Sequence, residues 1–229
     1  MENQNGYILQ GCNLKKSYVK NGREIPVFDK IDAGFPQGKI SVITGRSGAG
    51  KSTLLNLLGG LDEPTSGSVH FDGIELGTLS NAQLADLRGK YIGIIFQNFN
   101  LLSSWTAYEN VEAALFHADI SDKERREKVC SLLTSLGLGD RLDNFPAELS
   151  VGQQQRVAVA RTLVHEPKLI LADEPTGDVD PETAKDIIDR LVEVVKSKDT
   201  TLVVATHGTF PLDIADKVYS IKNGALTSQ

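Results

Sequence analysis

The sequence predicts an α/β fold: a mostly parallel sheet, an N-terminal antiparallel β layer and a helical subdomain set into the second half. Three observations carry that expectation. Short apolar runs alternate with segments of helical periodicity, as in parallel strands joined by helices. The apolar run ISVIT at 40–44 passes through a glycine-rich turn directly into a helical pattern. Between about 98 and 165 the alternation stops, and three helical patterns follow one another with no obvious strand.

In chain order, strands are expected over 25–29, 40–44, 68–71, 91–96, 169–173, 201–206 and 217–221. Helices are expected over 51–60, 81–88, 107–117, 122–136, 151–165 and 181–196. The N-terminal strands read as short and are punctuated by Asn21-Gly22 and Asp72-Gly73, which favour tight turns; hence the antiparallel layer. The helix at 122 has a start, Ser121 with Glu124 three residues on, and a stop at Gly137. The helix at 151 begins with Ser150 as N-cap and Gln153 as its capping-box partner, followed by the apolar set Val157, Ala160 and Leu163. Asp180 before Pro181 is an N-cap followed by proline at the first helical position. A single domain is expected, its core about 1–97 and 166–229 and its helical subdomain about 98–165. There is no internal repeat.

Composition narrows the function. A chain of 229 residues suffices for one large domain or a core with a subdomain. The net charge of −6 argues against a broad nucleic-acid surface, and no nucleic-acid partner is expected. Cys12 and Cys130 lie far apart, without metal-ligand spacing, and are expected to pack as small hydrophobes in a reducing compartment. The start MENQNGYILQ lacks a signal-peptide pattern, and no apolar stretch nears the roughly 20 residues that span a bilayer. A cytoplasmic location is expected, with any membrane role exercised through a partner.

Two stretches carry chemistry. GRSGAGKST, at 45–53, matches G-x-x-x-x-G-K-S/T, the Walker A pattern, between a strand and a helix. Its glycines, Gly45, Gly48 and Gly50, let backbone amides turn toward phosphate oxygens, with Arg46, Ser47 and Ala49 between them. Lys51 offers charge to the β- and γ-phosphates, Ser52 a hydroxyl to Mg²⁺, and the helix through Thr53 its positive end. KLILADEPTG, at 168–177, is a buried apolar strand ending in Asp173 and Glu174, where ligands of parallel sheets sit. Asp173 suits a Mg²⁺ held through water; Glu174 suits a group that orients or deprotonates the attacking water. The segment ELSVGQQQRVAVARTL adds a glycine-bearing helix start with no acid, a positive end that invites an anion.

These segments, in this order, resemble the nucleotide-binding subunit of ABC transporters along essentially the whole chain. GRSGAGKS looks like Walker A, Gln97 in GIIFQNFNLL like the Q-loop, LSVGQ at 149–153 like the LSGGQ signature, and LILADEP like Walker B with its following glutamate. GDVD ending at Asp180 looks like the D-loop, His207 in VVATHG like the H-loop, and Tyr18 stands where the family places an aromatic that stacks on adenine. The resemblance implies the ABC ATPase fold, a P-loop (RecA-like) core, and ATP with Mg²⁺ as ligands. It further implies a homodimer sandwiching two ATP molecules, in which Ser150, Gly152 and Gln153 of one copy face the γ-phosphate held by the other. By the same resemblance Gln97 contacts Mg²⁺ or water, Glu174 and His207 are catalytic, and Asp180 acts across the dimer, although Asp180 also reads as a simple N-cap.

Two departures stand out. Val151 replaces a glycine of LSGGQ, and a β-branched residue there disfavours a positive φ. Gly208 follows His207 where the family often has aspartate, which is expected to loosen the histidine. Within the family the chain looks most like the lipoprotein-release (LolD-type) and macrolide-export (MacB-type) group. That implies separate transmembrane permease subunits, a position on the inner face of the cell membrane, and export or extraction of a lipoprotein, peptide or drug. The alternative is a regulatory ATPase driving a membrane cell-division or signalling complex without transport. Phe99, Leu101, Leu102 and Trp105 after Gln97 read either as a groove for the partner's helix or as packing beneath the helical insert.

Overall fold

Two long strands open the fold. In a computed structural model describing residues 6–228, β1 (Tyr7–Lys20) and β2 (Arg23–Pro36) form an antiparallel hairpin. There follow β3 (Ile40–Thr44), α1 (Lys51–Leu58), β4 (Ser66–Phe71), β5 (Ile74–Glu75), α2 (Asn81–Tyr91) and β6 (Ile92–Ile95). Next come α3 (Ala107–Glu112), α4 (Asp122–Ser135) and α5 (Val151–Leu163), with no strand among them. The chain closes with β7 (Leu169–Asp173), α6 (Pro181–Lys198), β8 (Thr201–Thr206), β9 (Lys217–Lys222) and β10 (Ala225–Ser228).

One sheet is four-stranded and antiparallel, in the order β2-β1-β4-β5; the other is six-stranded, in the order β10-β9-β3-β8-β7-β6. The second sheet is parallel except for β10 on β9. Its central strands are near-continuous apolar runs because helices or the other sheet cover both faces. Period-two alternation then divides them: Ile43, Leu171 and Val203 join Phe28, Phe35 and α1 in one core, while Val42, Ile170 and Val204 meet α6 in a second. Val111, Val129, Leu133 and Val157 make a third core among α3, α4 and α5.

The N-terminal layer differs from expectation in strand length. β1 has no counterpart in the expected elements, and the strand at 25–29 is the middle of β2, each strand running 14 residues. The pairing shifts register between Gly11 and Leu14 and again at Lys16, and Asn13 and Lys30 have left-handed backbones. Such bulges break the two-residue alternation that marks a strand. β10 is likewise additional. The helix expected over 107–117 ends early: Phe116 and Ala118 donate to carbonyls three residues back, tightening its end into a 3₁₀ turn over Ala113–Leu115. Cys12 and Cys130 are free and half-buried rather than deeply packed.

Candidate functional site

Strand order assembles the site. Because β3, β8, β7 and β6 are neighbours running in parallel, their C-terminal ends lie side by side, with Thr44 opposite Thr206, Ala205 opposite Asp173, and Ala172 opposite Ile95. The residues that follow those ends are the glycine loop after β3, His207 after β8, Glu174 after β7 and, two residues on, Gln97 after β6. Ligands of open parallel sheets bind at this edge. A cavity of 470 Å³ there is lined by Ser47, Gly48, Gly50, Lys51, Ser52, Thr53, Gln97, Asp173, Glu174 and His207, together with Val27 of β2. Gly45, Arg46 and Ala49 line a wider groove of 1210 Å³ beside it, which shares Ser47, Gly48 and His207.

The glycine loop is built for an anion. Gly48 and Gly50 have φ of 75° and 97°, and a Cβ on Gly50 would stand 2.8 Å from Val27 Cγ1. Gly50 caps α1 without a side chain and the first turn carries no acid, leaving the helix end positive and open. Lys51 Nζ donates to Gly45 O at 3.0 Å and lies 3.5 Å from Glu174 Oε1. Both side chains are buried, where a charge needs a partner. Glu174 itself has a left-handed backbone, and its amide donates to Ala205 O at 2.9 Å, tying the turn to β8. His207 Nδ1 lies 2.8 Å from the same Oε1, while Glu174 Oε2 is buried with no hydrogen-bond partner.

Asp173 Oδ1 is a second buried oxygen without a partner. Burial raises the Asp173 carboxyl above its usual range, opposed by a hydrogen bond from Ser52. A carboxyl with one orphaned oxygen, close to the Ser52 hydroxyl, fits a hard divalent cation that would complete its shell with water and substrate phosphates, as Mg²⁺ does. No group of three or more His, Cys, Asp or Glu residues among those described makes a cation cage from protein alone.

Five of the expected residues stand elsewhere: four at the starts of α5 and α6, and Tyr18 on β1. Ser150 caps α5, accepting from Gln153 N at 3.3 Å, and Gln153 Oε1 accepts from Ser150 N at 3.0 Å. Neither these residues, nor Gly152, nor Asp180 lines the cavity of this chain. Asp180 caps α6, accepting from Glu182 N at 3.1 Å and Thr183 N at 3.0 Å; the Thr183 amide, first among these contacts, holds its carboxyl below the usual range. Val151 opens α5 in ordinary helical backbone, 49% exposed, so the expected cost of a positive φ at this position does not arise. Gly152 has a reason within the monomer: a Cβ would stand 3.1 Å from Thr183 Oγ1 on α6. Gly208 adopts φ 134°, and its amide donates to Thr206 Oγ1 at 3.1 Å, so the turn after His207 is pinned without an aspartate.

Tyr18 lines neither cavity; Thr53, which lines the smaller one, and Asp62 are hydrogen-bonded to its phenol, the latter at 2.9 Å. Burial and then Asp62 raise the phenol above its ordinary value, so it remains a donor at neutral pH. Lys16, also unanticipated, lies 4.7 Å from the centre of the Tyr18 ring.

Two further residues escaped the sequence reading. Gln155 is buried, and its Nε2 donates to Pro175 O at 2.7 Å, fastening α5 to the loop after Glu174. Its trace in the sequence is a polar residue in the stripe Gln155, Ala158, Val159, Thr162, at helical spacing. Arg161 donates to Phe99 O and Asn100 O, both at 2.6 Å, clamping the segment after Gln97 onto α5. Those two residues have left-handed backbones, which no periodicity announces. Beyond the clamp, Leu101 packs into the helical core, Leu102 and Phe116 are exposed, and Trp105 tilts against Phe116 at 6.3 Å.

Comparison with known proteins agrees with this geometry. The family model described as "ABC transporter" matches residues 28–177. The lipoprotein-releasing system ATP-binding protein LolD of Buchnera aphidicola subsp. Schizaphis graminum is 41% identical over 222 residues, covering 97% of each chain. The macrolide export ATP-binding/permease protein MacB of Rhodopirellula baltica is 41% identical over 219 residues, 95% of this chain but 32% of that protein. Among solved structures, the dimeric post-hydrolysis state of the ATP-binding cassette MJ0796 bound to ADP and Pi superposes with a TM-score of 0.90 at 34% identity, covering 96% of this chain and 97% of that one. The chain therefore belongs to the ABC transporter family and is one of its ATPase cassettes.

Proposed function

We propose that this chain is the ATP-hydrolysing subunit of a membrane complex that exports or extracts a substrate such as a lipoprotein, peptide or drug. The observation that carries the reading is the placement of Glu174: a buried carboxylate at a strand end in the lining of the cavity, one oxygen beside His207 and Lys51, the other without a hydrogen-bond partner. In the resting chain Glu174 is the counter-charge of Lys51. An entering triphosphate takes over that role, because the loop amides and Lys51 favour its β- and γ-oxygens. Glu174 is then free to accept a proton from water as the water oxygen bonds to the γ-phosphorus and the bridging oxygen leaves with ADP. His207 holds Glu174 in place and contacts the γ-phosphate. Ser52, Asp173 and Gln97 would hold Mg²⁺, which would supply charge neutralisation on the phosphates when bound.

A second copy completes the site. Ser150, Gly152 and Gln153 lie away from the cavity of their own chain, at a helix end with no acid in its first turn. Two copies related by a two-fold axis bring each such end to the other's γ-phosphate, with Asp180 at the seam. MJ0796, dimeric in its ADP-bound form, supports this arrangement. No helix among the described residues is long and apolar enough to cross a membrane. The chain sits on the inner face of the cell membrane, bound to separate transmembrane permease subunits. The exposed Leu102 and Phe116, beside Trp105 and the clamped segment after Gln97, supply the apolar face for one of their helices.

The test is affinity purification of the chain from native membranes in mild detergent, with mass spectrometry of what accompanies it and an ATPase assay of the eluate. A membrane protein with few spans and a large outer domain, recovered with ATPase activity, is expected. Recovery with a cell-division or signalling complex that moves no substrate favours the regulatory alternative. Soluble partners alone remove the transport reading.

A further inference from the structure

We propose that Asp62 and Lys16 are positioning residues that pre-set the Tyr18 ring for the base of the nucleotide. The inference rests on the reading of Tyr18 as the residue that stacks on adenine. Tyr18 stands two residues before the end of β1, near an exposed hairpin turn, where an aromatic side chain would otherwise sample several rotamers. Here it is held on two sides. Its hydroxyl donates to Asp62 Oδ2 at 2.9 Å. The Lys16 ammonium covers one ring face, 4.7 Å from the centroid. Lys16 is buried and Tyr18 is 43% exposed, which leaves part of the side chain open to a base.

Every polar atom of the clamp has a partner. Lys16 Nζ donates to Asp62 Oδ1 and to Glu63 O, both at 2.7 Å. Asp62 Oδ1 also accepts from Glu63 N at 2.8 Å. Burial would raise the Asp62 carboxyl, but the Lys16, Tyr18 and Glu63 donors together hold it below the usual carboxylate range, so it stays an acceptor. The segment carrying Asp62 is stitched to β1 again through Thr65, whose amide donates to Lys15 O at 2.8 Å and whose Oγ1 accepts from Ser17 N at 3.1 Å.

This segment follows α1 directly, and α1 begins at the glycine loop. One helix therefore carries the phosphate-binding amides at its start and leads into the ring's anchor after its end. The two ends of the nucleotide are placed by one rigid element, with Thr53 of its first turn against the same phenol. Ordering the ring before binding removes an entropic cost from association.

The experiment measures dissociation constants for ATP and for inorganic tripolyphosphate, which lacks the base, in wild type, Tyr18→Phe, Asp62→Asn, Lys16→Met and Tyr18→Ala. Tyr18→Phe keeps the ring and loses the phenol's links to Asp62 and Thr53, whereas Asp62→Asn leaves the Thr53 link in place. Both are expected to weaken ATP about fivefold, the size of one ordinary hydrogen bond, with tripolyphosphate unchanged. In Asp62→Asn the KM for ATP should rise while kcat holds within about twofold of wild type, and Asp62→Glu should restore part of the loss. Tyr18→Ala should weaken ATP about tenfold or more relative to tripolyphosphate. If Tyr18→Ala does so but Tyr18→Phe and Asp62→Asn bind ATP as wild type does, the clamp is wrong and the stacking stands. If Tyr18→Ala weakens both ligands equally or neither, the stacking reading itself fails.

Discussion

Glu174 Oε1 lies 2.8 Å from His207 Nδ1, so the residue after β8 steadies the residue after β7. The contact exists because those strands are neighbours, and it leaves Oε2 buried and unpartnered. Replacing Glu174 with Gln keeps the shape and removes the base. Hydrolysis should fall about a hundredfold or more, while ATP still binds and the chain accumulates as a dimer on size-exclusion chromatography. His207→Ala leaves the base but frees it, with a loss of about tenfold to a hundredfold. A Glu174→Gln protein turning over at the wild-type rate would remove Glu174 as the base.

Asp173 leads to a prediction about the cation. Its orphaned Oδ1 beside Ser52 is the group that Mg²⁺ would satisfy. Chelation with EDTA should abolish hydrolysis, and Asp173→Asn should raise the Mg²⁺ concentration needed for half-maximal ATPase activity about tenfold or more. Undiminished turnover in EDTA contradicts the assignment.

The approach of Gly152 to Thr183, with a Cβ placed 3.1 Å from Oγ1, couples α5 to α6. A methyl group at 152 gains helix propensity but presses on a buried neighbour. Gly152→Ala should therefore be about 1 kcal/mol more favourable in a Thr183→Ala background than in wild type, read from a double-mutant cycle of urea unfolding. Zero coupling would mean that the helices do not meet here. If the double variant folds well yet hydrolyses slowly, Gly152 is also needed by the second copy.

Arg161 makes the segment after Gln97 depend on the helix that begins at Ser150. Removing the guanidinium in Arg161→Ala leaves the carbonyls of Phe99 and Asn100 without their donor. The cost should be about 2 kcal/mol of stability, with faster amide exchange concentrated between about 97 and 102. Exchange unchanged there would show that the left-handed turn at Phe99 holds itself.

The sequence by itself determined the α/β class, the phosphate loop at 45–53, the acids at 173 and 174, and the family. In each case the signal is local: contiguous residues at fixed spacing, whose backbone or charge chemistry needs nothing distant. It also placed three capping residues, Ser121, Ser150 and Asp180, since a cap is satisfied within three residues. Tertiary structure decided the rest. Only the strand order β3-β8-β7-β6 brings His207 and Gln97 to the phosphate loop, and only that order gives Lys51 and His207 the same carboxylate oxygen. β1 was missed altogether because its bulges interrupt the alternation. The value of Gly152 in packing α6, the ordinary backbone of Val151 and the hold of Asp62 on Tyr18 rest on contacts or dihedral angles that no spacing records. A sequence shows which groups can bind; the packing of strands and helices settles which of them meet.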